Sequence, residues 1–241
     1  VLFQIRLAEA LDNAHRIDRI VAVHCLDLNK FKDVNDTLGH PAGDLLLQQV
    51  AARLGECARQ SDTVARLGGD EFAVIQTNLA DDHGITILAG RIIDSLAAPF
   101  DLNGERIFTG ASIGISTYPH DGTEAEVLLK NAGLALYRAK HEGLLEGHGK
   151  YVLFDRDMNA EVQGRKTLEA DIRLALDRGE FFLNYQPQID MASGRMVGAE
   201  ALVRWHHPER DLISPGEFIP VAEQAGLVNS ITEIVLAEAC A

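Results

Sequence analysis

The sequence is poor in cysteine. Cys25, Cys57 and Cys240 are widely spaced and odd in number. That argues against a disulfide framework and fits buried free thiols in a reducing compartment, so a cytoplasmic location is expected. Long apolar runs are also missing. The longest, such as IVAVHCL, are far too short to span a bilayer, so no membrane contact is expected of this segment. No secretory leader pattern opens the chain, and its start inside a helical pattern at Val1 suggests a piece of a longer protein. Basic charge is scarce. Lys and Arg number 22 against 36 Asp and Glu, a formal net charge of −14. With no basic, aromatic-rich stripe to offset it, a nucleic-acid partner is excluded. A small anionic ligand stays open, because a divalent cation can bridge carboxylates to phosphate. There are no internal repeats and no low-complexity tract.

What is present is a chain long enough for one large domain or two modest ones, 46% apolar and able to build a sizeable core. Residues 1–16 have helical apolar spacing. RIVAVHCL (19–26) reads as a buried strand ending at Asp27. LNKFKDVNDTLGHPAGD reads as a polar, Gly- and Pro-punctuated loop holding about one helical turn. An amphipathic helix follows in LLLQQVAARLGECAR. TVARL and EFAVIQT read as a hairpin turning at Gly68-Gly69, where glycines supply the positive φ that primed turns need. A helix from Asp81, one strand in RIFTGASIGISTYP, a helix in TEAEVLLKNAGLALYRAK and a short strand YVLFD complete an α/β alternation near Asp157. A new helix, two strands (FFLNYQPQI, RMVGAEALVRW) and two helices follow. Ser214, Pro215 and Glu217 are expected to cap the first of those helices.

The carboxylates carry the chemistry. Asp27 sits at a strand end, and Asp70 and Glu71 sit at the hairpin. If the strands are neighbours, the three acids meet at one edge and need a cation between them. Hard oxygen ligands suit Mg²⁺, which keeps water and phosphate oxygens in its shell. Alternatively the hairpin tip is simply solvated. Just after Asp27 come Lys30, Lys32, Asn35 and Asp36, a setting that suits nucleotide phosphates. Asn35 and Asp44 can read a purine edge, since a carboxylate accepts from guanine N1–H and its amino group. Lys140 closes the helix ending LYRAK.

The ordered set DLNKFKDVNDTLGHPAGD, RLGGDEFAVI, ASIGISTYPHDG and ALYRAK resembles the GGDEF family of diguanylate cyclases over residues 1–157. Residues 158–241, through YQPQIDMASGRMVGAEALVRWHHPE and ISPGEFIPVAEQAGL, resemble a linker helix and the start of an EAL-type cyclic di-GMP phosphodiesterase domain. The resemblance implies a palm-like α/β (α+β) fold shared with nucleotide cyclases, followed by part of a TIM barrel. It implies condensation of two GTP to cyclic di-GMP at the interface of a homodimer, with Mg²⁺ (or Mn²⁺). Asp27, Asp70 and the carbonyl of Leu28 would hold the metal. Glu71 would favour deprotonation of the 3′-hydroxyl. Phe31, Lys32 and Lys140 would hold phosphates, and Asn35 and Asp44 the guanine. Arg59 and Asp62 match the family's RxxD site, where bound product restrains the cyclase; an ion pair at a helix end is the plainer reading. Arg91 is a further contact candidate there.

The match departs after Lys140. Leu144 or His148 stands where the family carries a phosphate-contacting arginine. Asn29 and Gly133 stand where Asp is common. In the second part Glu200 matches the first metal ligand of the EAL site, and the remaining ligands and the catalytic lysine lie outside these residues, so phosphodiesterase activity is not expected of this segment. His206-His207 is a metal-like pair expected to be structural. Three functions follow: a product-inhibited cyclase, a GTP-binding module that regulates a phosphodiesterase, or a cyclic di-GMP receptor.

Overall fold

A computed structural model describes residues 2–146 and 149–240. The chain divides into two compact units, one up to Asn159 and the other from Ala160. The first unit runs α1 (Leu2–Ile17), β1 (Ile20–Leu28), α2 (Phe31–Leu38), α3 (His40–Cys57), β2 (Thr63–Gly68), β3 (Glu71–Leu79), α4 (His83–Ala97), β4 (Phe100–Leu102), β5 (Glu105–Ile107), β6 (Ala111–Tyr118), α5 (Ala125–Glu146) and β7 (Lys150–Leu153). Its main sheet has the order β2-β3-β1-β6-β7, antiparallel except for the β6–β7 pair.

Central β1 is buried along almost its whole length, because alternate residues feed cores on both faces. Val21, Val23 and Cys25 pack with α1 and α5, against Leu7, Leu11, Leu128 and Ala132. Ala22, Leu26 and Leu28 pack with α3 and α4, against Leu46, Leu54, Leu88 and Ile92. Helix α5 lies very close to β6. A Cβ at Gly114 would overlap the backbone nitrogen of Leu136 and the carbonyl oxygen of Ala132. On the other face Arg53 ties α3 to the end of α4. It donates to the carbonyls of Ser95, Ala98 and Pro99, each at 2.7 Å, and its guanidinium lies 3.7 Å from the Phe100 ring centre.

Two sequence expectations are corrected in this unit. The stretch read as a loop after Asp27 holds a full helix, α2, and the start of α3. Lys30 (φ 58°) and Gly39 (φ 82°) absorb the sharp changes of direction, which lets two helices share a punctuated segment. The single strand read over RIFTGASIGISTYP is two strands: β5 forms a hairpin with β4, and only β6 enters the main sheet.

In the second unit α6 (Asp157–Arg178, spanning the division) leads to β8 (Phe181–Ile189), β9 (Met196–His207), β10 (Asp211–Ile213), α7 (Pro215–Gln224) and α8 (Val228–Ala239). The sheet order is β10-β9-β8, and β10 was not anticipated. Its core gathers Phe181, Trp205, Phe218 and Ile172. Ser214 occupies the N-cap position of α7, but its side chain makes no capping bond, and Glu217 pairs with Arg210 instead. His207 is structural: its Nδ1 accepts from the backbone N–H groups of Glu209 and Arg210, both at 3.1 Å, and its Nε2 lies 3.4 Å from Asp171. Among the described residues no helix is long and apolar enough to cross a membrane.

Candidate functional site

Antiparallel register places Asp27 on β1 directly opposite Glu71 on β3. Directly paired residues share a sheet face. Asp27 follows Val23 and Cys25 in alternation, so this is the α1/α5 side. The hairpin turns at Gly69 and Asp70, with Gly68 paired to Glu71. Gly69 has φ +50°, the positive value required at the first central position of the favoured turns; Gly68 needs none. A register shift between Arg66 and Gly68 kinks the approach. Arg66 then pins the tip, its Nε donating to the Gly69 carbonyl at 2.9 Å. Asp70 and Glu71 are therefore presented by a braced turn, and the three acids do share one edge.

Lys140 comes from α5, the helix that Gly114 admits against the sheet. Its Nζ lies 2.6 Å from Asp27 Oδ2. Asp27 is mostly buried and Lys140 partly exposed. Burial raises the Asp27 pKa, the Lys140 hydrogen bond and charge lower it, and the charges of Asp70 and Glu71 raise it again. The acids thus feel one another, and a cation here stabilises the ionised set. Among the described residues no three His, Cys, Asp or Glu side chains stand close enough to form a ready-made metal cage. The donor set is still the one Mg²⁺ takes, one or two carboxylates completed by water and phosphate oxygens. Asp27 and Asp70, whose charges act on one another, are donors of that kind.

Asn35 lies on α2 against α3 at Gly43, where a Cβ would overlap its Oδ1. The ring of Phe31 borders the same glycine, and Phe31 packs against the core. Gly43 therefore sets the spacing of Asn35 from Asp44, a role hidden in the sequence because the residue contributes no side chain. Lys32 is exposed on α2. Asp44 lines a cleft of about 460 Å³ between α3 and β2.

Asn29 braces the loop after Asp27. Its N–H donates to the Gly110 carbonyl at 2.9 Å, its carbonyl accepts from Thr109 Oγ1 at 2.6 Å, and its Oδ1 accepts from Ser112 Oγ at 3.0 Å. Gly133 has open space where a Cβ would stand. The Leu144 side chain and His148 lie outside the described residues.

At the other candidate site Asp62 is fixed by donors: Arg59 N–H at 2.9 Å, Thr77 N–H at 3.2 Å and Ser61 Oγ at 3.4 Å. The Arg59 guanidinium has no hydrogen-bond or ion-pair partner among the described residues, so the simple ion pair between the two is not formed. Arg91 donates to the Cys57 carbonyl, two residues before Arg59. Glu200 is exposed on β9 opposite Gln186.

Both parts of the chain resemble known proteins. Residues 1–144 match the family described as diguanylate cyclase, GGDEF domain, and residues 169–241 match the EAL domain. The bifunctional diguanylate cyclase/cyclic di-GMP phosphodiesterase MucR of Pseudomonas aeruginosa is 42% identical over 100% of this chain and 34% of its own length. The cyclic di-GMP phosphodiesterase NbdA of the same organism is 40% identical over 95% of this chain and 29% of its own. The chain thus spans about a third of these relatives. The solved GGDEF domain of TpbB (YfiN) from Pseudomonas aeruginosa superposes with a TM-score of 0.64 at 38% identity, over 67% of this chain and 92% of that domain. The chain belongs to the GGDEF family, with an EAL-domain segment behind its GGDEF domain.

Proposed function

We propose that residues 1–157 form a diguanylate cyclase domain that condenses two GTP into cyclic di-GMP across a homodimer, and that residues 158–241 open an EAL domain in which Glu200 is a metal ligand. The observation that carries the reading is the direct pairing of Asp27 with Glu71 beside a lysine at 2.6 Å, next to a braced turn bearing Asp70. Asp27, Asp70 and the Leu28 carbonyl would hold Mg²⁺ (or Mn²⁺), which supplies Lewis-acid polarisation and neutralises phosphate charge when bound. Glu71 accepts the 3′-hydroxyl proton as its oxygen attacks the α-phosphorus of the GTP held by the partner copy, and pyrophosphate leaves. Lys140 moves its charge between Asp27 and the phosphates. Lys32 and the backbone at Phe31 hold the phosphate tail. Asn35 and Asp44 read the guanine. Positioning carries most of such a reaction, which is why the reactants must meet in one geometry.

Arg59 and Asp62 are proposed as the product site that restrains turnover. The partnerless guanidinium and the prearranged carboxylate support this, because a planar arginine binds phosphate or a guanine edge bidentately. A second reading is a GTP-binding module that regulates a phosphodiesterase. It is favoured by the similarity to NbdA, which is named for phosphodiesterase activity alone. Incubating the chain at high concentration with GTP and Mg²⁺, alongside Glu71→Gln, separates the two. Cyclic di-GMP from the parent, with turnover at least about 100-fold lower in the variant, supports the cyclase. GTP bound by a dimeric sample without product rejects it and leaves the regulatory module.

A further inference from the structure

The cleft beside Asp44 contains a residue that neither the motif logic nor the proposed mechanism uses. Asp44 and Gln48 are one helical turn apart on α3 and face the same opening. Leu47, Val64 and Phe72 give it an apolar lining, and Arg66 stands among its walls. Arg66 is paired in register with Phe72, whose ring belongs to the core on the α3 side, so Arg66 projects toward α3. Its Nε is committed to the Gly69 carbonyl at 2.9 Å. Its terminal nitrogens have no partner among the described residues, and Arg66 and Asp44 form no ion pair there although both border one cleft. The guanidinium is thus held at one corner with its remaining donors presented.

An acid and an arginine that border a cleft without touching suit a planar group with donors on one edge and acceptors on the next. Guanine is such a group. Its N1–H and amino group suit Asp44, and its O6 and N7 suit an arginine fork, the commonest specific contact made to this base. Adenine fails on both counts: it offers an acceptor at N1 to the carboxylate and an amino group to the arginine. Anchoring through Nε also lowers the entropy lost when the fork engages, since the plane is already set.

We propose that Arg66 is a specificity-determining residue that donates from its terminal nitrogens to N7 and O6 of the bound guanine, completing the recognition begun by Asp44. The assignment rests on the GTP-binding reading above. The test uses the whole chain, with GTP and 7-deaza-GTP competing against a fluorescent GTP analogue. The parent should bind 7-deaza-GTP about 5- to 10-fold more weakly than GTP, the share of a bidentate contact carried by one acceptor. Arg66→Ala should weaken GTP and bring the two nucleotides to equal affinity. Equal affinities in the parent overturn the assignment without any variant, so a poorly folding Arg66→Ala does not shelter it. A variant that weakens both nucleotides by one factor and keeps their ratio confines Arg66 to bracing the turn and overturns it too. A parent that binds neither nucleotide rejects the GTP reading itself, and this assignment with it.

Discussion

His24 is a fully buried imidazole in the middle of β1. Its Nε2 is 3.0 Å from Gln76 Oε1, Gln76 donates onward to the Gly84 carbonyl at 3.0 Å, and its Nδ1 has no partner among the described residues. Burial lowers its pKa from 6.5 to about 4, against smaller opposing effects of Gln76 and Asp62. The folded pKa lies below the unfolded one, so below pH 6.5 the unfolded chain takes up a proton that the folded chain refuses. Stability is therefore intact above pH 6.5 and falls as the pH drops toward 4, by roughly 3 kcal/mol from this one residue. His24→Phe should be less stable at pH 7, because Gln76 loses its partner, yet should show a shallower loss between pH 6.5 and 4. Urea midpoints at pH 7 and pH 5 measure this; parallel losses in parent and variant would assign the acid sensitivity elsewhere. Arg59 makes a second residue-scale prediction. Arg59→Ala should bind cyclic di-GMP at least about 10-fold more weakly by calorimetry, the loss of a charge-assisted bidentate contact. Unchanged affinity would remove the RxxD site from the reading.

At the scale of elements, the placement of α5 decides whether Lys140 reaches Asp27. Gly114 permits that placement, because any Cβ there overlaps the helix backbone, which has no rotamer with which to yield. Gly114→Ala should cost about 1–3 kcal/mol and displace α5, lowering turnover by more than the fraction unfolded explains. Thermal melts run beside GTP turnover test it; turnover that merely tracks the folded fraction would show that Lys140 tolerates the shift. This contact also marks what sequence could and could not reveal. The β2–β3 hairpin was legible, because a glycine turn between two apolar runs dictates neighbours; that β1 is the other neighbour of β3, which sets Asp27 opposite Glu71, was left open, because no local signal pairs strands so far apart in the chain. The helix α2 was not legible, because its short apolar face offers only Val34 as a buried residue and Lys30 supplies a left-handed turn that sequence does not predict for lysine. Nor were the roles of Gly43 and Gly114, which act by what they lack. Arg66 was hidden for another reason. A charged residue in an exposed strand end usually reads as solvated, and only the hairpin geometry shows its Nε committed to the turn.

For the whole molecule the decisive quantity is charge. Each chain carries a formal −14, and the proposed reaction needs two chains face to face. Repulsion between like-charged bodies is long-ranged at low salt, where the screening length is about 30 Å at 0.01 M, and short at 0.15 M, where it is about 8 Å. Association should therefore tighten as salt rises over this range, the reverse of a contact built on opposite charges. Turnover per chain should rise with protein concentration, because a site shared between two copies does not exist in one. Sedimentation across a salt series, with GTP turnover on the same samples, joins the two expectations. Turnover per chain that stays constant while sedimentation shows dimers dissociating would mean that one chain suffices, and the paired-site mechanism would fail. Association that weakens with salt would keep the mechanism but move the contact to complementary charged patches, so that the excess acid lies away from the meeting faces. Tightening with salt, joined to concentration-dependent turnover, is the outcome that follows from an acidic protein whose carboxylates gather at the edge where two substrates are proposed to meet.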